Sequence, residues 1–180
     1  MSDPSGRPGP AGDELVEVVD EDGHVRSIIT RAEMRRTRPP PRHRTVFIAV
    51  VDGAGDRLLV HRRADWKDIA PGYWDVAFGG VVGAGEGWDE AARRELAEEA
   101  GVEAALEALG SGIYDDGVVA ELAHVYLARH DGPFTCPDGE VAEVAWVDLA
   151  DLDGWRVGRK VCPDSVALVL PRLPQPPPPA

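Results

Sequence analysis

The sequence predicts an α+β domain, and three observations support that class. Short apolar, β-branched segments recur along the chain between turn-forming residues. One amphipathic helix, Trp88 to Ala100, stands among them. Strands and helices mix without the regular βαβ alternation that a doubly wound parallel sheet requires. The 180 residues, 43% hydrophobic, are enough for one core.

Residues 1–12, rich in Gly and Pro, read as a disordered leader without the apolar centre of a signal peptide. The domain is expected over 13–170, followed by a disordered Pro-rich tail over 171–180. Leu15 to Val19 and His24 to Ile29 flank Asp20-Glu21-Asp22-Gly23 as a hairpin. Thr30-Arg31-Ala32-Glu33 has capping-box spacing and opens a short helix, which Pro39, Pro40 and Pro41 break. Thr45 to Val51 and Arg57 to His61 form a second hairpin around Asp52-Gly53-Ala54-Gly55. Residues 64–74 read as a loop, and Asp75 to Phe78 as a strand entering the glycines. Gly101 caps the long helix. Val118 to Ala128 and Val141 to Val147 read as strands, and Pro163-Asp164-Ser165 opens a last helix to Leu170.

Composition excludes some functions. The net charge of -13 argues against a general nucleic-acid or membrane-surface binder, which needs a basic patch. It does not argue against small anions, because a bound cation reverses the local sign. No apolar run reaches the length of a membrane span. Cys136 and Cys162 make no CxxC pair, so neither a disulfide framework nor a zinc site is expected, and a cytoplasmic location is the simpler reading.

The chemistry concentrates in Gly80 to Val102. Glu95, Glu98 and Glu99 stand at i, i+3 and i+4, on one side of a helix. At about 100° per residue, Glu95 and Glu99 fall within about 20° of Trp88, inside the stripe that should face the protein. Like charges at that spacing repel, and hard divalent cations prefer carboxylate oxygens. Gly79, Gly80, Gly83 and Gly85 allow a tight loop and close approach of backbone to a ligand. Arg94 sits beside the acids and can hold one carboxylate in place.

The run Gly80-x5-Glu86-x7-Arg94-Glu95-Leu96-x-Glu98-Glu99-x-Gly101-Val102 resembles the Nudix signature with every fixed position filled. The resemblance implies an α/β/α sandwich around a mixed sheet. It implies Mg²⁺, or Mn²⁺, held by Glu95, Glu98 and Glu99 with the Gly80 carbonyl, and attack of water on a phosphorus of a small-molecule diphosphate. Glu95 is the first candidate to orient or deprotonate that water, with Glu121, Glu140 and Glu143 outside the box as further candidates.

A narrower resemblance extends over residues 57–86, through Leu58-Leu59-Val60-His61-Arg62-Arg63 and Trp66-Lys67 to Pro71-Gly72-Tyr73-Trp74-Asp75. This stretch is similar to the Nudix branch that includes isopentenyl diphosphate isomerase. There, residues matching Arg63 and Lys67 grip the diphosphate, and Glu121 falls about where the isomerases keep an acidic site residue. Gly79 and Val81, however, stand where an isomerase keeps its Cys and His. The expectation is therefore a Nudix hydrolase, acting as monomer or homodimer on a nucleoside diphosphate-type or related compound. A non-catalytic ligand sensor is the second reading and an isomerase the third. His43, His61 and His124 read as structural histidines, and Trp66, Trp74 and Trp88 as packing residues.

Overall fold

The computed structural model describes residues 11–174. The first hairpin pairs β1 (Leu15–Val19) with β2 (Val25–Thr30), antiparallel, with Val16 opposite Ile29. Asp20 closes its turn by accepting from the backbone N–H groups of Asp22 and His24 at 3.0 and 2.9 Å. Helix α1 (Arg31–Arg36) follows, with the Thr30 hydroxyl accepting from Glu33 N–H at 3.1 Å as the sequence anticipates.

Strand β3 (His43–Val51) organises the sheet. It runs parallel to β8 (Ala120–Arg129) along its whole length, from His43 opposite Glu121 to Val51 opposite Arg129. Its other edge is shared. The first half pairs antiparallel with β6 (Phe78–Val81), and its end pairs with β4 (Arg57–Arg63). β4 then diverges to pair with β5 (Trp74–Asp75) and β9 (Val141–Asp148), while β7 (Leu106–Asp115) pairs with β8.

The alternation of β3 builds two cores. Val46, Ile48 and Val50 pack against Ala91, Ala92, Leu96 and Ala100 of the long helix. Phe47, Ala49 and Val51 face the opposite layer, with Leu152 of α3 (Leu152–Arg156) and Leu168 of α4 (Pro163–Leu168). A mixed sheet buried on both faces by helices is the expected α/β/α sandwich.

Some boundaries differ from expectation. The strand entering the glycines is split, with Trp74–Asp75 on β4 and Phe78–Val81 on β3, because the chain crosses between the two diverging strands. Strand β7 was not anticipated. It carries Gly110 and Gly112 and alternates only weakly, since it pairs on one side alone and exposes much of its surface. The domain also reaches past Leu170. Arg172 donates to the carbonyls of Leu168 and Ser111 at 2.6 Å each, and Leu173 is buried in the α4 core. The remainder of the expected leader and tail, 1–10 and 175–180, lies outside the described residues. Among the described residues no helix is long and apolar enough to cross a membrane, and both cysteines are free.

Candidate active site

Helix α2 (Trp88–Glu95) does not stay α-helical to its end. It continues as a π-helical turn, Leu96–Ala100, and stops at Gly101, whose φ of 72° is the left-handed cap expected there. The wider turn separates the three acids. Glu99 is 3% exposed and Glu95 is also buried, whereas the Glu98 side chain is 53% exposed at the rim.

The buried pair is tied to the glycine strand. The Glu99 carboxylate accepts from Gly79 N–H at 2.9 Å. The Glu95 carboxylate lies over Gly80 so closely that a Cβ there would stand 2.6 to 2.7 Å from its atoms. Arg94 anchors the loop. Its Nε and Nη2 reach the two oxygens of Glu86 at 2.8 and 2.9 Å, while Nη1 donates to Glu95 at 2.7 Å and Glu98 at 3.1 Å. Arg94 therefore fastens one box carboxylate and partly neutralises two others.

Electrostatics shows what this arrangement leaves unbalanced. Burial, only partly opposed by Arg94, pushes Glu95 up to about 7. Burial, then the Glu95 charge, hold Glu99 well above the usual carboxylate range. Two buried carboxyls and one at the rim, beside a backbone free of side chains at Gly80, form an oxygen-only donor set. That chemistry fits a hard divalent cation.

Two further acids meet the pair from a loop before β9. Ligand atoms of Glu99, Asp138 and Glu140 all lie within 4.8 Å of one another, and Lys67 Nζ donates to Glu140 there. A groove of about 430 Å³ runs over this surface, lined by Arg31, Lys67, Gly80, Glu95, Glu98 and Glu140.

A second cavity, of about 250 Å³, opens on the other side of the glycines. Arg31, Lys67, Gly79 and Gly80 line both spaces, so the two meet at these residues. Arg63 lines the inner cavity, its guanidinium donating to the Ile69 carbonyl at 3.1 and 3.2 Å and lying 3.8 Å from Asp75. Glu121 and His43, paired across β8 and β3, face it too.

The sequence-predicted residues thus fall into two groups. Glu95, Glu98, Arg94, Gly80 and Lys67 converge on the groove, with Glu99 buried beneath it beside Asp138 and Glu140, whereas Arg63 and Glu121 belong to the inner cavity. Glu143 is exposed, 3.6 Å from Arg62, and lines neither space. Sequence reasoning missed Asp138, Arg31 and Arg35, the last of which lines the inner cavity. The i, i+4 spacing of the two arginines on α1 was the one available signal. His61 stacks on Phe78 at 4.5 Å and His124 on Trp88 at 3.9 Å, the structural roles expected of them.

A helix presenting buried carboxylates to a glycine strand, beside basic side chains, defines a class of proteins that bind a divalent cation and a phosphorylated ligand. The comparisons specify the family. The NUDIX domain family matches residues 41–164. The chain is 38% identical over 139 residues to the uncharacterized Nudix hydrolase YfcD of Salmonella typhi, covering 76% of this chain and 73% of that one. It is 37% identical over 164 residues to the Nudix hydrolase SCO1686 of Streptomyces coelicolor, covering 87% of each. The crystal structure of DR0079 from Deinococcus radiodurans superposes with a TM-score of 0.76 at 25% identity, covering 90% of this chain and all of that one. The chain belongs to the Nudix family. It is a hydrolase of pyrophosphate-containing compounds, in a family that uses divalent metal cations.

Proposed function

We propose that the protein hydrolyses, with Mg²⁺, the diphosphate linkage of a nucleoside diphosphate-type or related small molecule. The observation that carries this reading is the buried Glu95–Glu99 pair, set against Gly80 in a groove bordered by Lys67 and Arg31. Glu95, Glu98 and Glu99, with the Gly80 carbonyl, would hold Mg²⁺ or Mn²⁺. The bound ion supplies positive charge to the phosphate oxygens and acidifies the attacking water.

The chain's own residues do the rest. Arg94 fixes the loop through Glu86 and orients Glu95. Lys67, where the two cavities meet, is placed to grip the diphosphate, while Arg63 lies along the inner one with its guanidinium held by the Ile69 carbonyl and Asp75. Water adds to one phosphorus, the bridging P–O bond breaks, and a carboxylate takes the released proton. Glu95 is the first candidate for that carboxylate, and Glu140 lines the same groove. Two free cysteines fit a reducing compartment such as the cytoplasm.

Glu98→Gln and Glu99→Gln each remove one carboxylate charge with little change of shape. Each variant should lose Mg²⁺-dependent release of phosphate or monophosphate by about a hundredfold or more while keeping a native circular-dichroism spectrum. The assay uses nucleoside diphosphates, nucleoside diphosphate sugars, dinucleoside polyphosphates, NADH and isopentenyl diphosphate. Near-normal turnover by both variants would remove the metal assignment. Tight binding without turnover in the wild type would point to a sensor.

A further inference from the structure

The inner cavity contains polar atoms that the diphosphate chemistry does not use. Glu121 is 5% exposed, and its Oε2 has no hydrogen-bond partner among the described residues. Thr45 Oγ1, in the same wall, is also buried and has no partner in hydrogen-bond geometry among the described residues, although it stands close enough to act on the Glu121 carboxyl. His43 lies opposite, its Nε2 3.9 Å from Glu121 Oε1, too far for a hydrogen bond. Its Nδ1 is 3.3 Å from the Pro41 carbonyl. A proton on Nδ1 leaves Nε2 as an acceptor. Buried polar atoms without partners are costly unless a ligand or water satisfies them.

We propose that this cavity holds the non-phosphate part of the substrate, a compact hydroxyl-bearing group of sugar or polyol type, and that Glu121 with Thr45 determines specificity by hydrogen-bonding its hydroxyls. The proposal rests on the hydrolase reading above and names the moiety which that reading leaves open.

Charge sets the orientation of the ligand. Asp75 and Asp164 both act on Glu121 and line the same cavity, where Arg35 opposes them and Arg63 lies 3.8 Å from Asp75, so the bases at this end are already matched by acids and leave little free positive charge for a phosphate. The phosphates therefore belong at the junction, with Arg31 and Lys67, and the uncharged part lies inward. Size sets its dimensions. At about 30 Å³ per water, a cavity of about 250 Å³ holds roughly eight waters, ample room for a pentose ring. Burial raises Glu121 to about 8, so near neutral pH its carboxyl presents an O–H donor beside a C=O acceptor, a pair that matches a hydroxyl. Phe47, Ala77 and Val119 supply the apolar walls against which a sugar carbon face packs.

The test uses two ligands of similar size, ribose 5-diphosphate and n-pentyl diphosphate, with UDP as a third. Each is titrated calorimetrically with Ca²⁺ into the wild type, Glu121→Gln, Glu121→Leu and Thr45→Val, and each is assayed with Mg²⁺ for phosphate release. The wild type should bind ribose 5-diphosphate at least about tenfold more tightly than n-pentyl diphosphate, the worth of one hydrogen bond. Glu121→Leu should bring that ratio close to one, Thr45→Val should lower it, and Glu121→Gln, which keeps a donor and an acceptor, should retain most of it. UDP binding as tightly as ribose 5-diphosphate would identify the group as the ribose of a nucleotide, with its base outside. Weaker UDP binding would identify a free sugar or polyol diphosphate. Equal affinity for the two size-matched ligands, or no binding of either, overturns the proposal. Phosphate release is read separately. Its absence alongside an intact binding preference would defeat the hydrolase reading alone.

Discussion

At the scale of single residues, the two glycines at the sheet edge separate structure from chemistry. Gly79 has a φ of 152° and passes so close to β3 that a Cβ would overlap the Val46 carbonyl. Gly79→Ala should therefore disrupt the β3–β6 pairing and cost about 3 kcal/mol or more in a urea titration. Gly80 has no such backbone demand, and the nearest atoms its added Cβ would meet are those of the Glu95 carboxyl group. Gly80→Ala should fold, with the Glu95 carboxylate displaced, and bind Mg²⁺ about tenfold or more weakly by calorimetry. Unchanged metal affinity would mean that Glu95 is not held by this contact. The acid set and Arg94 were legible in the sequence because one helix carries them at fixed spacing. Asp138 was not, because a loop more than thirty residues away brings it to Glu99, and no local pattern encodes that approach.

At the scale of elements, most strands were readable because β3 and β8 carry buried apolar runs, Val46 to Val51 and Val125 to Ala128. Strand β7 escaped because its glycines serve packing rather than strand propensity. At Gly112 a Cβ would stand 2.8 Å from both Leu168 and Arg172, so the missing side chain admits the last helix and its following turn. The π-helical turn was also invisible, since the spacing of the acids fits an α-helix equally well. Its end at Gly101 makes a firm prediction. Alanine there would be held at positive φ, costing about 1–2 kcal/mol, and its Cβ would overlap the Thr135 hydroxyl. Gly101→Ala should thus lose about 2–3 kcal/mol in urea unfolding, and adding Thr135→Ala should recover about 1 kcal/mol of it. A loss below about 0.5 kcal/mol would mean that the helix end is fixed by other contacts.

At the scale of the whole molecule, the cost of building the site should appear in the pH dependence of stability. Burial holds His43 and His61 at about 4, below their ordinary 6.5. Their contribution is complete above about 6.5 and is lost as pH falls toward 4. Glu121 behaves in the opposite sense. Burial first, and then Asp164, raise it to about 8 from an ordinary 4.5, with Arg35 opposing and His43, Thr45 and Asp75 also facing the cavity. Its contribution is complete below about 4.5 and is lost as pH rises through 8, because the unfolded chain releases that proton first. The metal-free protein should therefore be most stable in mildly acidic solution, between these two losses. Glu121→Gln removes the second loss while keeping the shape of the side chain. In EDTA its unfolding free energy should match the wild type near pH 4.5 and exceed it at pH 8 by on the order of 4 kcal/mol. A gap that stays constant from pH 4.5 to 8 would show that the Glu121 carboxyl is already ionised in the folded protein, with Arg35 as its counter-charge. A gap that opens with pH would identify Glu121 as a neutral acid kept at the expense of stability, which is what a residue placed to read an uncharged substrate group requires.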